Sequence, residues 1–160
     1  MHGTDDRPAR LAVGVLGAGR VGSALGAALA LAGHRIVAAG GVSDASRRRA
    51  AERLGVELSP PDEVIRRAEL VLLTVPDDVL PGLVSGLTAA GVELRGKLLM
   101  HTSGAHGLEV LEPAVRAGAL PLAVHPVMTF TGRDDDLRRI AGCSFAVTAP
   151  PPLRPAAEAL

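Results

Sequence analysis

Apolar residues fall in short blocks, each closed by glycine, proline or a polar pair. Residues 11–16 are continuously apolar and stop at Gly17, the pattern of a strand buried on both faces. Residues 20–32 follow with Val21, Leu25, Ala28, Leu29 and Ala32 at helical spacing, and Gly33 is the stop signal. Residues 35–42 predict a second strand. Ser43 or Asp44 then caps a helix that runs to Leu54 and ends at Gly55. Residues 56–58 predict a brief third strand, and Pro60-Pro61 opens a short helix through Ala68. The Val/Leu run at 70–75 predicts a central strand, followed by a helix over 77–90 that Pro81, Gly82 and Gly86 interrupt. Strands at 97–100, 120–124 and 144–148 alternate with a helix at 108–117 and a helical turn at 134–139.

Strands alternating with helices predict an α/β fold, a doubly wound and mostly parallel sheet with helices on both faces. The chain divides into a polar leader (1–10), a main α/β domain (11–150) and a linker at Pro150-Pro151-Pro152. Residues 151–160 read as that linker and the start of a truncated helical domain.

Composition narrows the classes. The formal net charge is zero and Phe130 and Phe145 are the only aromatics, so a basic nucleic-acid face and base-stacking platforms are not expected. Abundant Ala, Leu and Val exclude disorder. The single cysteine, Cys143, excludes an internal disulfide and reads as a small apolar residue at a strand start. The leader carries Asp5 and Asp6 and is no signal peptide, and no apolar run approaches a membrane span. A soluble, cytoplasmic protein with no membrane partner is expected.

Gly17-Ala18-Gly19-Arg20-Val21-Gly22 is a GxGxxG turn between the first strand and the first helix, the position at which a dinucleotide pyrophosphate is bound. Gly17 permits the tight turn, Gly19 lets backbone approach the phosphates, and Gly22 lets helix and strand pack closely. An NAD site commonly places Asp or Glu at the end of the second strand. Here no acid occurs before Asp44, and Arg47, Arg48 and Arg49 follow. Ser43 with Arg47 or Arg48 suits a 2′-phosphate, so NADP is expected over NAD.

Ligands bind beyond the carboxyl ends of parallel strands. Thr74-Val75-Pro76, Thr102-Ser103 and His125-Pro126 occupy three such ends. Ser103 and His125 are the candidate catalytic pair, a hydroxyl to hold a substrate oxygen and an imidazole that titrates near neutrality. Ser103 lacks a GxSxG elbow, which argues against a serine hydrolase. The histidines 101, 106 and 125 have no metal-ligand spacing, so no metal is expected.

Four segments occur in the same order in one family: Val15-Leu-Gly-Ala-Gly-Arg-Val-Gly22, Leu72-Leu-Thr-Val-Pro-Asp77, His101-Thr-Ser-Gly-Ala105 and His125-Pro-Val-Met-Thr-Phe-Thr-Gly132. Over residues 11–150 the chain resembles Rossmann-like NADP oxidoreductases of the 6-phosphogluconate dehydrogenase-like superfamily, notably actinobacterial members with a C-terminal helical domain of unknown function. The resemblance implies a Rossmann-type fold, and the residues expected to contact the cofactor are Gly17 to Gly22, Ser43, Arg47, Arg48, Thr74, Val75, Pro76 and Thr102. It also implies hydride transfer to or from a small oxo acid, hydroxy acid or imine. His125-Pro126 is similar to the His-Pro-Met segment of prephenate dehydrogenases, whose histidine contacts the substrate hydroxyl, and Ser103 sits where relatives place an active-site serine. The catalytic Lys/Asn or Lys/Glu sets of several relatives lie in a helical domain missing here, which commonly builds a homodimer. The alternative is a non-catalytic NADP-binding sensor or regulatory module.

Overall fold

The structure, a computed structural model, describes residues 9–160; most of the polar leader lies outside the described residues. Six strands form one sheet: β1 (Ala12–Leu16), β2 (Arg35–Gly40), β3 (Leu70–Leu73), β4 (Leu98–His101), β5 (Leu120–Pro126) and β6 (Phe145–Thr148). Their order is β2-β1-β3-β4-β5-β6, parallel throughout except for the antiparallel β5–β6 pair. This is the α/β, mostly parallel sheet that the block pattern predicts.

Strand side chains alternate between two apolar faces. Val13, Val15, Leu70, Leu72, Met100 and Leu122 pack on one side against α1 (Arg20–Leu31), through Leu25 and Leu29. Leu16, Val71, Leu73 and Leu99 pack on the other. There they meet Val64 and Ile65 of α3 (Pro61–Arg67) and Val84 and Leu87 of α4 (Leu80–Ala89). The helices therefore cover both faces, and the helix N-termini and strand carboxyl ends collect at one edge.

The third strand expected at 56–58 is corrected to a single parallel bridge, Ala39 to Leu58. The amide of Val56 is spent on the Ala50 carbonyl, closing a π-turn segment (Ala50–Leu54) that continues α2 (Asp44–Arg49). Ser59 N–H reaches Ala39 O at 2.8 Å, and Pro60-Pro61 then bring no further amide hydrogen to the ladder. The helix expected at 77–90 begins only at Leu80, because Pro76 O accepts from both Val79 and Leu80 in a preceding turn. The 108–117 segment is a 3₁₀ turn (Leu108–Leu111) leading into α5 (Glu112–Arg116).

After β5 the chain forms a loop, α6 (Asp135–Ile140), the edge strand β6, a 3₁₀ turn (Pro151–Leu153) and α7 (Arg154–Ala159). Asp136 organises that loop. Its buried carboxylate accepts from the amides of Thr131 and Gly132 and from the Thr131 hydroxyl, and Arg139 lies 3.3 Å away. Among the described residues no helix is long and apolar enough to cross a membrane. None of their His, Cys, Asp and Glu side chains form a group of three or more that could hold a metal.

Candidate functional site

A cleft of about 780 Å³ opens at the carboxyl edge, above β1, β2 and β3. Gly17 and Gly19 form its floor, Gly40 to Ser43 with Ser46, Arg47 and Arg49 one wall, and Thr74 to Pro76 another. Leu58, Pro60, Pro61, Val79 and Leu83 add apolar surface.

The floor is shaped by steric necessity at two glycines and by open space at a third. Gly17 has φ +103°, and a Cβ there would lie 2.8 Å from the Thr74 carbonyl carbon. A Cβ on Gly22 would run into Gly17 O and Thr74 Oγ1. Gly19 has nothing within 4 Å of a Cβ, so the space above it is available to a ligand. The helical ladder begins with Ser23 N–H on Gly19 O, and α1 has no side-chain cap. The amides of Arg20, Val21 and Gly22 therefore point out of the helix N-terminus, where an anion is favoured. These features fit a pyrophosphate.

The sequence-predicted residues separate into two groups. Gly17, Gly19, Ser43, Arg47, Thr74, Val75 and Pro76 share the cleft. Ala18, Arg20, Val21, Gly22, Arg48 and Thr102 do not line it. Ala18 is fully buried, and its amide and that of Gly17 both donate to Gly40 O at 3.0 Å, so Ala18 anchors the turn to β2. Val21 packs on the core, and Gly22 is needed for packing. Arg48 is exposed, and Arg49 stands in the wall instead. The Ser43 hydroxyl is engaged twice by Ser46, accepting from its amide and donating to its Oγ, both at 3.0 Å. The outward proton at this corner therefore belongs to Ser46, which sequence reasoning missed although the Ser43-x-x-Ser46 spacing is an N-cap signal. Asp44, the nearest acid, is exposed and outside the cleft wall.

One strand over from the cleft wall, the loop leaving β4 meets the end of β5. His101 is fully buried; its Nδ1 accepts from Ser103 N–H at 3.2 Å and its Nε2 donates to Gly107 O at 2.8 Å. Burial holds its pKa below the usual histidine value, reinforced by His106 and outweighing the Gly107 hydrogen bond and the Glu109 and Asp77 carboxylates. His106 Nε2 donates to Asp77 O at 3.0 Å, tying this loop to the turn after β3. His125 Nδ1 lies 3.0 Å from Thr102 O. A carbonyl only accepts, so the proton sits on Nδ1 and Nε2 is left without a protein partner among the described residues. The Ser103 hydroxyl oxygen accepts from Ala105 N–H at 3.1 Å, leaving its proton to donate outward.

The fold and its cleft define a familiar class of α/β domain. The chain belongs to the Rossmann-like domain family, whose model matches residues 1–126. No curated protein matches it. Among solved structures it is similar to 3-hydroxyisobutyrate dehydrogenase of Mycobacterium tuberculosis, with TM-score 0.75 and 22% identity over 95% of this chain and 51% of that one. It is similar to a variant imine reductase of Myxococcus stipitatus solved with NAD+, with TM-score 0.73 and 24% identity over 94% and 51%. A Bacteroides fragilis protein described as an NADP oxidoreductase gives TM-score 0.69 and 23% identity over 88% and 52%. At these identities the likeness establishes the fold, and the chain spans about half the length of each neighbour.

Proposed function

We propose that this chain is the NADP(H)-binding half of an oxidoreductase acting on a small oxo acid, hydroxy acid or imine. The observation that carries the reading is the cleft itself, with open space over Gly19 at the floor and serine and arginine, but no carboxylate, in the wall after β2. The α1 amides would take the pyrophosphate. Ser46, Arg47 and Arg49 would take a 2′-phosphate, which guanidinium pairs well. Named neighbours that use NADP or NAD support a nicotinamide cofactor.

When bound, the cofactor supplies or accepts the hydride. The chain's own residues manage the oxygen or nitrogen of the substrate and the proton. Protonated His125 gives its Nε2 proton to the reduced oxygen or nitrogen and returns to the neutral form that keeps Nδ1–H on Thr102 O. Ser103 donates a hydrogen bond to the same atom, its own lone pair held by Ala105 N–H.

A helical second domain following residue 150, with 151–160 as its linker and first turns, would close the pocket and build a homodimer. The neighbours' roughly doubled length supports this. The test is NADPH oxidation against a panel of oxo acids and imines, for these 160 residues alone and with a helical domain restored. NADPH binding by both forms and faster turnover by the longer one are expected. Full turnover by a monomer of 160 residues overturns the two-domain reading, and absence of NADPH binding by either form overturns the whole.

A further inference from the structure

The loop between β4 and the 3₁₀ turn does more than connect two elements. Buried His101 holds it at two points four residues apart, Ser103 N–H on Nδ1 and Gly107 O on Nε2. Those two bonds fix the backbone that presents Thr102 O to His125. Gly104 completes the arrangement. A Cβ there would lie 2.8 Å from His125 Cε1 and 2.9 Å from Nε2, and its three nearest neighbours are all atoms of that imidazole. The ring therefore rests against the Gly104 backbone while its Nδ1–H is drawn to the preceding carbonyl.

We infer that His101 and Gly104 are positioning residues that lock His125 in its Nδ1–H tautomer, with Nε2 held outward for proton exchange with substrate. Two histidines of one site are thereby set in opposite tautomers, Nε2–H on His101 and Nδ1–H on His125, each because a carbonyl stands opposite the protonated nitrogen. The consequence for turnover rests on the proton-transfer role given to His125 above; the tautomer itself does not.

Ring ¹⁵N–¹H correlation spectra of labelled protein read both tautomers directly, with His125→Asn identifying its signals. In the unaltered protein His125 should show a protonated Nδ1 and a bare Nε2, and His101 the reverse. Gly104→Ala should displace the ring and populate the Nε2–H form of His125, at an exposed position where the three atoms nearest the added methyl all belong to that ring. His101→Asn, which keeps an acceptor for Ser103 N–H but loses the donor to Gly107 O, should shift the tautomer less. Turnover should fall roughly 10- to 100-fold in Gly104→Ala, the scale of a misplaced general acid, with NADPH affinity and KM unchanged. An Nε2–H His125 in the unaltered protein, or an unmoved tautomer in Gly104→Ala, overturns the inference. A parallel loss of NADPH affinity does so as well, because the loop would then be shaping the cleft. A shifted tautomer with unchanged turnover upholds the positioning role and instead overturns His125 as proton donor.

Discussion

The Thr74 hydroxyl donates to Gly17 O at 2.8 Å and lies 3.2 Å from Leu16 O, tying the end of β3 to the turn that leaves β1. Two strands that are neighbours in the sheet thus hold the glycine-rich floor between them. Thr74→Val removes that bond while keeping the shape. It should cost about 1 kcal/mol in denaturant unfolding and weaken NADPH binding, and Thr74→Ser should retain most of both. Unchanged stability and affinity in Thr74→Val would show that the turn holds its shape unaided.

Gly19 and Gly22 should separate binding from folding. Gly19→Val places branches in open space, so circular dichroism and melting should change little while NADPH binding disappears. Gly22→Ala forces a methyl into Gly17 O and Thr74 Oγ1, so it should lose about 1–3 kcal/mol of stability. A folded Gly19→Val with unaltered affinity places the phosphates elsewhere.

Cofactor choice should reside at the end of β2. Arg47→Ala should lower NADPH affinity roughly 10- to 150-fold, the equivalent of about 1.5–3 kcal/mol for a lost charge-assisted bond, with NADH unaffected. Arg48→Ala should alter neither, since that side chain stands outside the cleft wall. Calorimetric titration of both cofactors decides this, and tighter NADH than NADPH binding by the unaltered protein sinks the NADP assignment.

Acid should destabilise the fold in two separate windows. His34 and His101 both have lowered pKa values, chiefly by burial and, for His34, also through Arg10. The unfolded chain takes up these protons near pH 6.5 and the folded chain only lower. Their contribution is therefore full above about pH 6.5 and is lost as pH falls toward the folded values. In both rings Nδ1 accepts a backbone amide, from Leu11 and from Ser103, and protonation there removes the acceptor. At Asp136 burial raises the pKa, but the Thr131 and Gly132 amides, the Thr131 hydroxyl and Arg139 outweigh it, leaving a net lowering. That contribution is present above about pH 4 and lost as pH falls further. Melts from pH 8 to 3 should show both declines, and Asp136→Asn should reduce the lower one.

The elements were legible where one signal dominates. Uninterrupted Val/Leu at 70–73 and the glycine turn at 17–22 announce a buried strand and a tight strand-to-helix turn with little competition from packing. Residues 56–58 mislead because propensity cannot see that Pro60-Pro61 end a ladder after one bridge. The cleft contacts were half legible. Backbone positions such as Gly19 follow from the motif, but whether Arg47, Arg48 or Arg49 reaches the wall depends on the helical phase of α2. Asp136 shows in the sequence only as part of a helical turn, because its partners include amides that any sequence supplies. Nothing in the sequence distinguishes His101 from the other loop histidines, because both of its nitrogens bond backbone groups that any sequence supplies.

The single bridge at Leu58 has a bearing on how this protein meets copies of itself. A sheet margin recruits another strand through a run of unused amide hydrogens and carbonyls. On the β2 side, Leu58 to Pro61 lie across the margin and end in two residues that carry no amide hydrogen. On the far side β6 is four residues long and is followed by Pro150, Pro151 and Pro152. Each margin thus gives an incoming strand a short template that ends in proline. Self-association by sheet extension is disfavoured at both ends, so any contact between copies of the domain falls to its helices and carboxyl-edge loops.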